Sequence, residues 1–220
     1  MEGRLFAIGD IHGCFGELKQ LVESEAAINH NDKVVFLGDY IDRGENSREV
    51  VDYIIDMRNS GLDIVTLRGN HEEMLIGAYE DKNRLYQWFL NGGYTTLDSF
   101  GAGSVNDLAD EYVDFFYSLK YYYCLGNFVF VHAGFNDDIE DPFEDTVEMV
   151  WTRRGKYRNP VLKGFTIIHG HTPVPIGICR EMINEHASVI NIDTGCVYSD
   201  VPELGHLSAV ELYSMKHYSV

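Results

Sequence analysis

The stretch "AIGDIHGCF", residues 7–15, joins two kinds of chemistry. Ala7 and Ile8 end an apolar run, and Gly9 and Gly13 then bracket Asp10, Ile11 and His12. The same grammar recurs at "VVFLGD" (34–39) and "DIVTLRGN" (63–70), where a β-branched or apolar run ends in Gly followed at once by Asp or Asn. "FVFVHAG" (128–134) and "FTIIHGH" (165–171) repeat it with His. Short, near-continuous apolar runs read as buried strands. Gly at a strand end permits a sharp turn or a close backbone approach.

Helical patterns separate the first three strands. Residues 17–28 put Leu18, Leu21, Val22 and Ala26 on one face. In the next, Ser47 reads as N-cap, with Val50, Val51, Ile54 and Ile55 behind it and Gly61 closing the helix. The first 70 residues therefore read βαβαβ, which predicts adjacent parallel strands with helical crossovers. Residues 71–119 read as mostly helical and aromatic-rich, and strands dominate again from Lys120, through "VINIDTG" (189–195) and "LSAVELYS" (207–214). No linker or low-complexity segment interrupts the chain, so a single domain over 1–220 is expected.

Composition narrows the function classes. A net charge of -18 argues against nucleic-acid binding, which rests on Lys and Arg, and against anionic membrane surfaces. None of the four cysteines forms a C-x-x-C pair. No run approaches the ~18 apolar residues of a membrane span. The N-terminus lacks a basic start followed by a long apolar stretch. These features predict a cytoplasmic protein with free thiols, and its oligomeric state is left open.

In open α/β sheets, ligands bind beyond the carboxyl ends of the strands. Five strand ends here deliver metal-competent side chains: Asp10 with His12, Asp39, Asn70, His132, and His169 or His171. Five of the nine histidines fall in these turns. A lone Asp or His in a turn is ordinary turn chemistry, but the same bias at five strand ends is not. Carboxylate, imidazole and amide oxygen together suit Mn, Fe or Zn and not a thiolate site. The donors are too many for one tetrahedral ion. Two ions sharing a carboxylate, ~3.5–4 Å apart, form the usual clamp for in-line displacement at phosphorus. "HEEML" (71–75) is not a zinc-protease helix, because position 75 is Leu, and no P-loop is present.

"GDIHG" (9–13), "GDYIDRG" (38–44) and "GNHE" (69–72) resemble, in order and spacing, the three signature motifs of the PPP phosphoprotein phosphatases, the metallo Ser/Thr phosphatases of the calcineurin-like superfamily. "HAG" (132–134) and "GHT" (170–172) resemble the later ligand motifs, and "NGG" (91–93) and "WTR" (151–153) are similar to segments of the bacterial and phage branch. The resemblance implies a four-layer sandwich of two mixed β-sheets flanked by helices, with segment 74–119 either a cap or a packing layer. It implies that Asp10 and His12 bind one metal, that Asp39 bridges, and that Asn70, His132 and His171 bind the second. The i, i+2 spacing alone does not separate His171 from His169. The resemblance gives His71 the role of general acid, oriented by Asp42, while Arg43 and Arg153 offer donors to phosphate oxygens; Arg154 competes with Arg153 for the last role.

The implied activity is hydrolysis of phosphomonoesters, phosphoserine and phosphothreonine in proteins foremost, by a hydroxide held between two divalent ions, with Mn2+ preferred over Fe or Zn. The rival is a dinucleoside polyphosphate hydrolase, which shares the core motifs. A Pro-rich turn is expected after HAG in that branch, whereas "HAGFNDD" follows here. A non-catalytic phosphate-binding scaffold would have lost a ligand or the acid, and every such position is filled.

Overall fold

The computed structural model describes residues 3–220. The βαβαβ start is present: β1 (Leu5–Ile8), α1 (Phe15–Gln20), β2 (Lys33–Phe36), α2 (Ser47–Asn59) and β3 (Asp63–Thr66). Then come α3 (Asn70–Glu80), α4 (Leu85–Leu90), α5 (Gly93–Phe100) and α6 (Asp110–Tyr117). The second half holds β4 (Tyr122–Leu125), β5 (Phe128–Val131), α7 (Thr146–Trp151), β6 (Thr166–His169), α8 (Ile176–Asn184), β7 (Val189–Asn191), β8 (Ser208–Glu211) and β9 (Lys216–Ser219).

Two mixed sheets result, in the orders β3-β2-β1-β8-β9 and β4-β5-β6-β7. β1, β2 and β3 run parallel, as do β5, β6 and β7; β4, β8 and β9 pair antiparallel. The strand period of two assigns each apolar residue to a layer. Leu5, Ala7, Val35 and Leu37 face Phe130, Ile168 and Ile190 between the sheets. Phe6, Ile8, Val34 and Phe36 face outward onto a core shared with α1, α2, α3, α5 and α6. Val129, Val131 and Ile167 cover the far side of the second sheet with Met149 of α7. Runs of apolar residues without alternation are thus required, because both faces of the central strands are buried.

Two local expectations change. Asn46, not Ser47, is the N-cap of α2; the Ser47 hydroxyl instead accepts the Asp42 N–H at 3.2 Å. The helix begun by α1 continues as a π turn over Leu21–Glu25. Gly61, at φ +94°, does close α2, its N–H donating to the Arg58 carbonyl. Among the described residues no helix is long and apolar enough to cross a membrane.

Candidate active site

The parallel strands of both sheets end at one edge, where the turns predicted from sequence converge. Asp10 and His12 follow β1, Asp39 follows β2, Asn70 and His71 open α3 after β3, His132 follows β5 and His171 follows β6. These turns are conformationally costly. His12, Asp39, Asp42, Arg43 and His171 all have left-handed φ, between 48° and 72°. Such backbone persists in non-glycine residues only where the surroundings hold it. Close approach needs glycine beside two of the carboxylates: a Cβ on Gly69 would collide with Asp39 Oδ1, and one on Gly170 with Asp10 Oδ1.

Asp39 stands at the centre. Its Oδ2 lies 3.4 Å from His12 Nε2, and its Oδ1 lies 3.5 Å from His132 Nε2, so the two oxygens address opposite sides. Donor atoms of His12, Asp39 and His71 fall within 4.8 Å of one another, as do those of Asp39, His132 and His171. Asn70 Oδ1 joins the second group, 3.0 Å from His132 Nε2 and 2.8 Å from His171 Nδ1. Asp10 Oδ2 accepts the His171 N–H at 3.0 Å. The Nδ1 atoms of His12 and His132 donate to the carbonyls of Ile41 and Leu37, which leaves each Nε2 lone pair aimed into the cluster.

This set fits cations. Asp10 Oδ1, His71 Nε2 and His171 Nε2 are buried and have no hydrogen-bond partner. Burial, together with the charges of Asp193 and Asp39, pushes Asp10 well above the carboxylate range. Burial lifts Asp193 to about 7. Burial also opposes the charge on Asp39, but His132, His71 and His12 outweigh it and hold that carboxyl low. Burial lowers His12, His132 and His171, the last to about 3, so these imidazoles are neutral. Carboxylates crowded out of water with unpartnered imidazole nitrogens are what a divalent cation relieves.

The sequence left His169 and His171 as alternatives, and their surroundings differ. His171 joins Asp39 and His132, whereas the His169 Nδ1 turns to the Gly170 carbonyl at 3.1 Å. Arg154 is engaged by Asp137 and Asp138, at 3.4 and 2.7 Å. Arg153 is exposed, makes no ion pair among the described residues, and its charge acts on His171. Arg43 is at the site, with Nη1 2.7 Å from His12 Nε2.

His71 is fully buried, and its Nδ1 lies 2.6 Å from Asp42 Oδ2. Burial opposes a charged imidazole here, but Asp39 and the Asp42 hydrogen bond overcome it and raise the His71 pKa above its usual value. Asp42 is itself clamped. It accepts from Trp88 Nε1 at 2.9 Å and from Thr96 Oγ1 at 2.6 Å, both in the helical segment after α3.

Sequence reasoning missed three of these supports. Trp88 and Thr96 lie 46 and 54 positions from Asp42, and no local pattern announces them. Glu72 is fully buried and accepts the N–H groups of Asp39, Tyr40 and Gly69 at 2.8–3.0 Å, pinning the β2 turn to the start of α3. Its signal was present: Glu three residues after the Gly69 N-cap is capping-box spacing. Asp193, at the end of β7, repeats the strand-end grammar a sixth time.

The family model described as calcineurin-like phosphoesterase matches residues 3–201. The chain belongs to the calcineurin-like phosphoesterase family. It is therefore a metal-dependent phosphoesterase, and the Asp/His cluster is its metal centre. Two curated relatives carry different activities in their names. The asymmetrical bis(5'-nucleosyl)-tetraphosphatase PrpE of Anoxybacillus flavithermus is 26% identical, covering 97% of this chain and 92% of its own. Serine/threonine-protein phosphatase 2 of Salmonella typhimurium is also 26% identical, covering 87% of each chain. Among solved structures, a serine/threonine phosphatase from Saccharomyces cerevisiae with similarity to human phosphatase PP5 superposes with a TM-score of 0.68 at 17% identity, over 96% of this chain and 73% of its own. That likeness concerns the fold.

Proposed function

We propose that this calcineurin-like phosphoesterase hydrolyses phosphomonoesters, with phosphoserine and phosphothreonine in proteins as its substrate class. The observation that carries the reading is His71: its Nε2 is buried without a partner while its Nδ1 is held by Asp42 at 2.6 Å. That is the arrangement of an imidazole set to give up a proton at Nε2. A serine or threonine alkoxide is strongly basic and leaves only when protonated, so such an acid has most value on those esters.

The other residues take roles that follow from their chemistry. Asp10 and His12 would hold one divalent cation, Asn70, His132 and His171 would hold a second, and Asp39 would contribute to both. Two such ions supply Lewis acidity, polarising the phosphoryl group and acidifying water. A donor set of carboxylate, imidazole and amide oxygen suits Mn2+. Asp42 keeps the His71 ring oriented and charged. Arg43 and Arg153 donate to the phosphate oxygens, and neutralising them lowers the cost of attack. The chain works as a single domain, in which segment 74–119 serves the site by fixing Asp42 through Trp88 and Thr96.

A second reading, hydrolysis of dinucleoside polyphosphates, is favoured by the PrpE relative, which aligns over nearly the whole chain. One panel separates the two. Protein loaded in turn with Mn, Fe, Zn and Mg is offered phosphoserine, phosphothreonine and phosphotyrosine peptides and diadenosine tetraphosphate. The expected result is the highest kcat/KM on the phosphoserine or phosphothreonine peptide with Mn. A higher kcat/KM on diadenosine tetraphosphate overturns this in favour of the second reading. Tight Mn binding with no turnover of any phosphoester overturns both.

A further inference from the structure

A second donor cluster, of different chemistry, lies outside the catalytic set. The Sγ atoms of Cys14 and Cys196 and a carboxylate oxygen of Glu17 fall within 4.8 Å of one another. Cys196 is buried, Cys14 half-buried and Glu17 exposed, so the cluster runs from the interior to solvent. Both thiols are free.

We propose that Cys14, Cys196 and Glu17 form a separate binding site for one thiophilic divalent cation of the Zn2+ or Cd2+ type. The proposal is independent of the substrate assigned above. Thiolate sulfur selects soft and borderline ions, and the catalytic set contains none. Donors ~2.0–2.3 Å from a tetrahedral ion stand ~3.3–3.8 Å from one another, so small side-chain rotations bring these three atoms onto one ion. The fourth position faces solvent on the Glu17 side and takes water.

The backbone holding the donors is fixed mainly by main-chain bonds; the Cys14 thiol adds only a long bond, 3.7 Å, to the His12 carbonyl. Cys14 donates its N–H to the Ile11 carbonyl and accepts from the Leu18 N–H, both at 3.1 Å. Glu17 follows three positions later, in the first turn of the helix whose N-cap is Cys14. Cys196 follows Gly195, whose N–H is held by Asp193 Oδ1 at 2.9 Å. A net charge of -18 draws cations to the surface. Binding releases the thiol protons and ties the turn that carries His12 to the loop after β7.

The test is a Cd2+ titration of anaerobic, Mn-loaded protein in which all four thiols have first been counted as free. The readout is the ultraviolet charge-transfer band of cadmium–thiolate bonds, to which the sulfur-free catalytic centre is silent. One Cd2+ per chain with that band is expected. Cys14→Ser and Cys196→Ser each abolish the two-thiolate band, while Cys124→Ser and Cys179→Ser leave it. Glu17→Gln, a surface change that does not threaten folding, keeps the band but weakens Cd2+ affinity by ~10-fold or more, since even an outer-sphere partner is worth that much. A full band in either the Cys14 or the Cys196 variant overturns the site. So does unchanged affinity in Glu17→Gln, or no band in the unaltered protein at stoichiometric Cd2+.

Discussion

Asp42→Asn isolates the charge behind the proposed acid. Asn preserves the shape of Asp42, and its amide oxygen can still accept from His71 Nδ1 and Trp88 Nε1, which share Oδ2 at 2.6 and 2.9 Å. Its amide nitrogen then faces Thr96, whose hydroxyl turns to accept and finds Ser47 Oγ, 3.4 Å away, as its own acceptor. Packing survives and the negative charge is lost. A buried hydrogen bond to a charged group is worth ~1.5–3 kcal/mol against ~0.5–1.5 for a neutral one. The difference, ~1–1.5 kcal/mol, is about one pKa unit. His71 has its pKa raised in the native site. Its donating form is therefore complete below that pKa and lost as pH rises through it. Removing the charge lowers the pKa, so the alkaline limb of the kcat profile moves ~1 unit toward lower pH, with ~10-fold loss on a phosphoserine peptide above it. On p-nitrophenyl phosphate, whose leaving group is weakly basic, the loss is smaller. The assay is the pair of pH–rate profiles at verified metal content. An unmoved limb with equal losses on both substrates would refute the acid role.

Deleting the imidazole is harsher. His71→Asn keeps both metals and slows phosphoserine hydrolysis by ~10²–10⁴-fold, with a clearly smaller loss on p-nitrophenyl phosphate; loss of an ion by elemental analysis would instead make His71 a ligand. Asp39→Asn removes the charge both ions share, so paired occupancy collapses with activity, and two-metal stoichiometry in the variant contradicts the bridge. Arg153→Ala lowers kcat/KM by ~10-fold through the lost charge-assisted contact to phosphate. Arg154→Ala, which loses only its ion pairs with Asp137 and Asp138, leaves kcat/KM within about twofold; equal effects count against choosing Arg153.

The parts of this molecule that could be read from sequence are those where one strand announces its own end. Strands β1, β2, β3, β5 and β6 carry their chemistry within two or three residues of the apolar run, so periodicity and turn residues suffice. β4 falls where strands are expected to resume at Lys120, but "YYYCL", a half-exposed edge with no contrast between its faces, does not mark its bounds. β9 was hidden: its "KHYS" has no apolar run. Ser47 has the composition of an N-cap, but tertiary contact with Asp42 took its hydroxyl. His169 and His171 share a spacing, and only the left-handed turn at His171 separates their directions. The clamp on Asp42 joins residues roughly fifty positions apart, a distance over which local pattern carries no information.

The contact between Arg43 and His12 has a thermodynamic corollary. An imidazole Nε2 has one lone pair, and in this structure Arg43 Nη1 lies against it at 2.7 Å. The guanidinium and a cation are therefore competitors for the same electrons. On the ligand set proposed above, a cation at His12 would displace the arginine and return its donors to the cleft, where a phosphoryl oxygen is a natural partner. Metal and oxyanion would then be linked through an arm that can hold either the His12 nitrogen or the oxyanion, but not both. By the reciprocity of linkage, whatever factor the ion adds to anion affinity, the anion adds to the retention of the ion. Phosphate, the product of the proposed phosphomonoester hydrolysis, would thus help the site keep its ions.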